Sequence, residues 1–205
     1  MLRISKTDVV REMCRRSFAE FVKEAWPIIE PSTPLVWNWH MDAVCDHLQA
    51  VTDGRIRRLL INIPPGTSKS TLVNVFWPAW EWGAAGLAHY KIISASHAQD
   101  LATRDSRKMR DLIKSEWYQE HWPTQIVDDQ NQKTYYQNSH TGFRQASAVG
   151  SMTGKRGDRV IWDDPHSIED ALSQTKRETA IRVFKETLPT RLISPEYSAI
   201  VIVMQ

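Results

Sequence analysis

Four apolar runs, separated by helix-like segments, constrain the fold of this 205-residue chain more than any other feature of its sequence. They are RLLINI at 58–63, HYKIISAS at 89–96, RVIWDD at 159–164 and YSAIVIV at 197–203. Short continuous apolar runs are typical of strands that are buried on both faces, as in a parallel sheet. Because these runs alternate with helical patterns, they predict an α/β fold with a mainly parallel central sheet flanked by helices.

Helical periodicity fills the segments between the runs. A first helix is predicted from a cap at Thr7 or Asp8 to Trp26, where Pro27 and Pro31 end it. The segment at 69–82 contains Pro78, which predicts a kink or an early end. Residues 124–149 predict short, partly alternating strands. The remaining helices are predicted at 40–51, 98–116 and 167–186.

Composition indicates a globular domain rather than a disordered or membrane-spanning chain. Hydrophobic residues make up 41% and charged residues 24% of the chain, which indicates a globular domain. The net charge of +2 does not by itself predict nucleic-acid binding. Cys14 and Cys45 lack metal-type spacing and predict buried free thiols in a reducing compartment. The charged N-terminus lacks a signal core and no segment is long enough to cross a bilayer, so we expect a soluble intracellular protein.

The stretch INIPPGTSKSTLV at 61–73 resembles a phosphate-binding loop in which both usual glycine positions are substituted. Ile63 and Ser68 occupy those positions, and Gly66 supplies flexibility between them. Lys69 is predicted to contact the β- and γ-phosphates, and the Ser70 hydroxyl to bind Mg²⁺. An ordinary Pro-Gly turn capped by Thr67 or Ser68 is the alternative. The candidate ATP-binding residues of the loop are Pro65, Gly66, Thr67, Ser68, Lys69, Ser70 and Thr71.

RVIWDDPHS at 159–167 has the form of an apolar strand that ends in two acids. In strand–loop NTPases the first acid, here Asp163, holds Mg²⁺ through water. The second carboxylate polarises the attacking water; Glu is usual there, and this chain has Asp164. Alone, the pattern is also typical of a strand end followed by an Asp-Pro turn. Together with the upstream loop, it predicts an ATPase that uses ATP and Mg²⁺, with Lys69 and Asp164 as catalytic residues.

Four motifs resemble the ATPase domain of the large terminase subunit of tailed bacteriophages. They are PPGTSKS, RDSRKMRDLI, TGKRGDRVIWDDPHS and TRL…IVIVMQ, and the resemblance covers nearly the whole chain. It implies a P-loop NTPase of the additional-strand type, with a helical, adenine-side segment at 1–56 and an ATPase core at 57–205. The carboxylates of the family's C-terminal nuclease domain have no counterpart here, so the resemblance predicts no DNA cleavage by this chain.

The resemblance also assigns roles to residues outside the two motifs. In WNWHM, His40 is expected to hydrogen-bond the adenine and Trp37 or Trp39 to stack on it, although aromatic residues that bury a helix start explain the pattern equally well. Arg156 matches the family's place for an arginine that completes a neighbouring subunit's site. Its alternatives are Lys155, Arg159 or an arginine of the 98–116 helix. Gln205 ends the strand that carries the family's coupling motif.

The partners implied by the resemblance are double-stranded DNA, further copies of the chain in a ring, the small terminase subunit and the portal of the procapsid. No membrane is involved, and the expected location is the cytoplasm of an infected bacterial host. Basic clusters at 104–114 and 55–58 are candidate DNA contacts, or solvated faces. Two other functions stay open: a helicase-like or repair ATPase of the same fold, and a catalytically inactive assembly module.

Overall fold

A computed structural model of the protein describes residues 4–152 and 154–205. Met1–Arg3, from the charged N-terminus, and Thr153, from the TGKRGD motif, lie outside these described residues. The helices are α1 (Lys6–Arg16), α2 (Phe18–Ile29), α3 (Trp39–Thr52), α4 (Lys69–Thr71), α5 (Trp77–Trp82), α6 (Gln99–Lys114), α7 (Glu116–His121), α8 (Ile168–Leu172) and α9 (Gln174–Arg182). The strands are β1 (Arg58–Asn62), β2 (Ile92–Ser96), β3 (Ile126–Asn131), β4 (Tyr135–Asn138), β5 (Phe143–Ala148), β6 (Arg159–Asp163) and β7 (Ala199–Met204).

The strands of the described residues form one mixed seven-stranded sheet in the order β1-β7-β6-β2-β5-β4-β3. Neighbours from β1 to β5 in this order are parallel, whereas the β5–β4 and β4–β3 pairs that extend the sheet are antiparallel. The predicted α/β fold with flanking helices is confirmed. The two antiparallel strands come from the segment whose alternating pattern predicted short strands.

Alternating side chains of the central strands enter two separate hydrophobic cores. Ile92, Ile161 and Val201 pack into the larger core, with α1 to α3, α6 and the helix that follows β1. Their strand neighbours Ile93 and Val160 pack into the smaller core on the other face of the sheet. Both faces of the central strands are therefore covered, as the continuous apolar runs predict.

The prediction that β1 is buried on both faces is wrong: β1 is the edge strand of the sheet, and only one of its faces packs against the larger core. Its residues alternate between exposed and half-buried, and Leu60 is 62% exposed. The apolar run shows that a segment suits a sheet, but strand order is decided by crossovers between distant segments. An apolar strand can therefore occupy an edge with no local signal.

Serine caps divide two helices that the sequence predicted as continuous, and a third serine ends α6 close to its predicted end and starts a further helix. Ser17 separates α1 from α2, Ser115 separates α6 from α7, and Ser173 separates α8 from α9. Each serine is extended, and its side chain accepts a hydrogen bond from a backbone N–H of the next helix. A serine side chain competes with the backbone for hydrogen bonds and so favours a cap over a helix interior.

Two prolines lie inside helical segments that they were predicted to end or bend. Pro27 lies within α2, which continues to Ile29, so the predicted end at Trp26 is wrong. A π-helical segment at Leu72–Phe76 joins α4 to α5, and Pro78 occupies the first turn of α5. Proline is tolerated in a first helical turn. The helix after β1 therefore reaches Trp82, as predicted.

Two of the remaining predictions concern burial and membranes. Cys14 and Cys45 are buried free thiols, as predicted, and burial raises the pKa of Cys14 to about 12. Among residues 4–152 and 154–205, no helix is both long enough and apolar enough to span a membrane.

Candidate functional site

The carboxyl ends of β1, β6 and β2 meet at one edge of the sheet, and each is followed by polar residues. The 63–68 loop follows β1, Asp163 and Asp164 end β6, and His97 follows β2. In open α/β sheets, ligands bind in the crevice outside the carboxyl ends of the strands. The two predicted motifs, about a hundred residues apart in the chain, therefore meet at the edge where this fold places ligands.

The loop after β1 turns back on itself through two residues in the left-handed region. Gly66 has φ of 79° and Ser68 has φ of 61°. The Thr67 hydroxyl donates a 2.7 Å hydrogen bond to the Pro64 carbonyl and closes the turn. Pro65 and Gly66 are exposed, whereas Thr67, Ser68, Ser70 and Thr71 are half-buried or intermediate in exposure. Ser68 thus adopts the left-handed conformation that glycine adopts most readily.

Lys69 and Asp164 form a partly buried ion pair between the two motifs. The Lys69 ammonium lies 3.0 Å from both carboxylate oxygens of Asp164, and Lys69 is only 6% exposed. Asp164 has φ of 43°, another left-handed value. Its backbone N–H donates to the Val203 carbonyl at 2.8 Å, which anchors it to β7. The amine that is predicted to bind phosphate and the carboxylate that is predicted to polarise water therefore neutralise one another in this arrangement.

His97 contacts the same turn, and the sequence analysis did not identify it. Its backbone N–H donates to the Asp164 carbonyl at 3.2 Å, and its Nδ1 lies 2.9 Å from the same oxygen. Both contacts fix the backbone of Asp164 in its left-handed conformation. The only signal in the sequence is that His97 immediately follows the apolar run at 89–96, at the carboxyl end of a predicted strand.

Asp163 is buried, and one of its oxygens is available to a ligand. Asn74 Nδ2 donates to Oδ2 at 3.0 Å, whereas Oδ1 has no hydrogen-bond partner among the described residues. Burial is the main cause that raises the pKa of Asp163 to about 6, and the charge of Asp164 acts in the same direction. The Ser70 hydroxyl is near enough to moderate this rise without completing a hydrogen bond to Oδ1.

The donors at this edge fit Mg²⁺ held partly by a substrate. The Asp163 carboxylate and the Ser70 hydroxyl are oxygen ligands, which Mg²⁺ prefers. No group of three or more His, Cys, Asp or Glu side chains in the described part of the chain is placed to hold a metal ion. Mg²⁺ is usually bound by one or two carboxylates together with water and phosphate oxygens, so such a group is not required.

A cavity of about 500 Å³ lies beside the loop, between α3 and β1. Its lining includes Trp39, His40, His47, Pro64 and Thr67. The Trp39 ring is 75% exposed and meets the His40 ring edge-on, with 6.2 Å between the ring centroids. An exposed aromatic ring beside a phosphate-type loop is suited to stack on a nucleobase.

Trp37 does not line this cavity, although the sequence predicted it near the adenine together with His40. Its Nε1 donates to Asp42 at 2.8 Å, and the Lys23 ammonium lies over its ring, 4.8 Å from the centroid. The structure brings His40 to the loop with Trp39 rather than Trp37. Residues 37 and 39 lie on either side of Asn38, the N-cap of α3, and a sequence pattern does not distinguish which of them faces the loop.

Arg156 lies at the amino ends of the parallel strands, whereas the loop lies at their carboxyl ends. It is exposed and precedes β6, while Asp163 and Asp164 are at the other end of that strand. The four residue steps of β6 alone span about 13 Å. Arg156 therefore cannot reach the site of its own chain.

The two named alternatives to Arg156 are engaged elsewhere. The Lys155 ammonium lies 3.4 Å from the centroid of the Tyr135 ring. Arg159 is buried and forms a 2.8 Å ion pair with Glu81. Of the three, Arg156 is the side chain whose position leaves it accessible to a partner.

Gln205 is exposed and follows β7, the strand between β1 and β6. It lines a cleft of about 320 Å³ together with Asp164, Pro165 and His166. The predicted coupling residue and the predicted water-polarising carboxylate therefore face the same space.

Most basic residues of α6 contact neighbouring parts of the chain. Arg104 pairs with Asp105, Lys108 with Glu30, and Arg110 donates to Asn131. These contacts reduce the charge that the 104–114 cluster presents to a polyanion.

Comparison with known proteins identifies the fold. No protein-family model matches the chain, and no curated protein matches it in sequence. Among solved structures, the HK97 bacteriophage large terminase matches with a TM-score of 0.65 and 13% identity. The match covers 93% of this chain and 37% of that chain. The resemblance to large terminases is thereby confirmed at the level of the fold, over about a third of the terminase's length.

Proposed function

We propose that this chain is the ATP-hydrolysing domain of a DNA-packaging motor of the large-terminase type. The observation that supports this most is the meeting of Lys69, Asp163 and Asp164 at the carboxyl edge of a terminase-like fold. A Pro-Gly turn whose only role is to connect two elements would not require a lysine buried against an acid from a distant strand. A lysine and two carboxylates are the groups that phosphoryl transfer to water uses.

Substrate binding would use the loop and Lys69. Backbone N–H groups at the start of the helix after β1 favour an anion, and the left-handed residues Gly66 and Ser68 shape the loop around it. Lys69 then neutralises the β- and γ-phosphates. The cavity lined by Trp39 and His40 takes the adenine, next to Thr67.

Asp163 and Ser70 would hold Mg²⁺ through the free Oδ1 and the hydroxyl. When bound, Mg²⁺ supplies positive charge that stabilises the phosphate oxygens in the transition state. Asn74 keeps Oδ2 occupied, so the carboxylate presents one oxygen in one direction.

The Lys69–Asp164 ion pair links substrate binding to the activation of water. Lys69 is shared by two anions once phosphate enters, which weakens its hold on Asp164. Asp164 is then free to polarise the attacking water, while His97 keeps its backbone in place. The shared cleft gives a route by which a change at Asp164 moves Gln205 at the end of β7.

The motor role adds the partners expected of a terminase. These are duplex DNA, neighbouring copies in a ring that supply Arg156, and the small terminase subunit and portal in the host cytoplasm. Arg156 lies at the edge opposite its own site, as an arginine that acts on the next subunit requires.

Lys69→Ala tests the assignment. Removal of the ammonium leaves the loop without its phosphate-binding charge, and we expect Mg²⁺-dependent, DNA-stimulated ATP hydrolysis to fall about 100-fold or more. Phosphate release is measured with and without duplex DNA, and Lys6→Ala, at an exposed lysine of α1, is the control. Equal rates for wild type and Lys69→Ala would refute the proposal.

The two other functions give different results in the same preparation. A helicase-like ATPase separates strands, whereas a packaging motor acts on intact duplex. An inactive assembly module shows no nucleotide binding by calorimetry, even at millimolar concentration of an ATP analogue with Mg²⁺.

A further inference from the structure

We propose that Asn74 and Arg144 are positioning residues that orient Asp163, so that its free oxygen points to Mg²⁺. This inference rests on the proposed function and assigns roles to two residues outside both motifs. It starts from three buried side chains in a row. Arg144 Nη2 donates to Asn74 Oδ1 at 3.4 Å, and Asn74 Nδ2 donates to Asp163 Oδ2 at 3.0 Å.

The amide of Asn74 has one favourable orientation in this row. A guanidinium can only donate hydrogen bonds, and an ionised carboxylate can only accept them. If the amide were reversed, its oxygen would face the Asp163 carboxylate and its NH₂ group would face Arg144. Both contacts would then be repulsive, so Arg144 determines that the NH₂ group points to Asp163.

The helix after β1 presents Asn74 to Asp163 together with Ser70. The two residues are four apart, which places them on the same side of a helix. Asn74 is the central residue of the π-helical segment, in which Trp77 N–H donates to the Leu72 carbonyl. Such segments inside α-helices are frequent at functional sites. Ser70 and Asn74 thus approach Asp163 from one element.

Arg144 is a buried charge with few polar partners, although the charge of the buried Asp105 helps to stabilise it. It is fully buried on β5, and its Nε and Nη1 have no hydrogen-bond partner among the described residues. No ion pair to Arg144 occurs in that part of the chain, whereas the equally buried Arg159 is paired with Glu81. A buried unpaired charge is costly, so its presence beside Asn74 indicates a role other than packing.

The consequence is a carboxylate with one occupied and one free oxygen. Asp163 is 7% exposed, and neither oxygen is freely solvated. Asn74 holds Oδ2, which prevents the side chain from turning and leaves Oδ1 for a ligand. Residues that hydrogen-bond a metal ligand tune metal affinity, and their loss typically costs 10- to 100-fold.

Asn74→Leu separates positioning from packing. Binding of a non-hydrolysable ATP analogue is measured by calorimetry, once in EDTA and once with Mg²⁺. In wild type, Mg²⁺ is expected to tighten binding. In Asn74→Leu we expect this Mg²⁺-dependent gain to fall by about 10- to 100-fold while binding in EDTA is unchanged. If the variant does not fold, as judged by circular dichroism, Asn74→Ala replaces it with a simpler truncation.

A double variant tests whether the two residues act as one unit. If Arg144 acts through Asn74, Arg144→Met with Asn74→Leu loses no more of the Mg²⁺-dependent gain than Asn74→Leu alone. Arg110→Met and Asn131→Leu are matched controls, because Arg110 of α6 donates to the side-chain oxygen of Asn131 in β3 at 3.1 Å, away from Asp163. Both controls should keep the full gain.

The outcomes distinguish this inference from the proposed function. If wild type gains nothing from Mg²⁺, the proposed function is refuted and this inference with it. If wild type gains and Asn74→Leu gains equally, only the positioning role is refuted. Losses that add in the double variant would refute the coupling of Arg144 to Asn74.

Discussion

At the scale of single residues, Ser68 shows that the loop keeps its shape without its usual glycine. Its φ of 61° and ψ of 15° lie in the left-handed region, which costs an L-residue roughly 1–2 kcal/mol. Glycine would avoid that strain but loses about 0.5–1 kcal/mol more conformational entropy on folding. The two effects are of similar size, so serine is tolerated at this position.

Substitutions at Ser68 should therefore follow an order set by backbone strain. We expect Ser68→Gly to change the free energy of unfolding by less than about 1 kcal/mol. Ser68→Val should lower it by more than 1 kcal/mol, roughly, because a β-branched residue is disfavoured at positive φ. Urea denaturation at constant m-value measures both. A valine variant as stable as wild type would show that the loop does not hold this conformation.

At the scale of elements, a buried ion pair ties the helix after β1 to β6. Glu81 Oε1 accepts hydrogen bonds from Arg159 Nε at 2.9 Å and from the Thr52 hydroxyl at 2.8 Å. Glu81 is fully buried and Arg159 is 1% exposed. The pair lies at the start of β6, so it holds the end of the strand opposite to Asp163.

Each partner alone should be costly to remove, and both together less so. Glu81→Leu and Arg159→Met each leave one buried charge without its partner, which costs about 3–5 kcal/mol. The double variant leaves neither charge, so we expect it to be more stable than either single variant. Chemical denaturation of the four proteins measures the coupling. If the double variant lost as much free energy of unfolding as the two single variants together, the two charges would be solvated independently.

At the scale of the whole molecule, the predicted site residues lie at the two opposite ends of the parallel strands. The carboxyl edge carries the loop, Asp163 and Asp164, and the other edge carries Arg156 before β6. The length of the strand keeps the two apart within one chain. A site that uses Arg156 is therefore completed only where the two edges belong to different copies.

Mixing two inactive variants tests this arrangement. We expect Lys69→Ala and Arg156→Ala to be inactive separately, and a mixture to recover ATP hydrolysis. In the mixture, the Lys69→Ala copy supplies an intact Arg156 to a neighbour that has an intact Lys69. Phosphate release is followed as protein concentration rises, with Arg15→Ala, at an exposed arginine of α1, as the control. Full activity of Arg156→Ala alone, or no recovery on mixing, would contradict it.

The local patterns predicted which segments form strands and helices better than they predicted which segments lie side by side. The apolar runs located β1, β2, β6 and β7, and the loop and acid motifs located the residues that meet at the carboxyl edge. The positions of Ser17, Ser115 and Ser173 were visible, but a serine inside a periodic segment is compatible with a cap or a helix. Which one occurs depends on whether the flanking helices pack separately.

The sequence by itself determined the α/β fold, because hydrophobic periodicity and motif spacing are local properties. Tertiary structure alone decided that β1 is an edge strand, that Trp39 rather than Trp37 lines the cavity, and that Arg144, Asn74 and Asp163 form one row. The strand order and the Arg144–Asn74–Asp163 row depend on contacts between residues about 70 to 140 positions apart, and the cavity depends on how α3 packs beside β1. Such contacts follow from how crossovers order the strands, and no local pattern encodes that order.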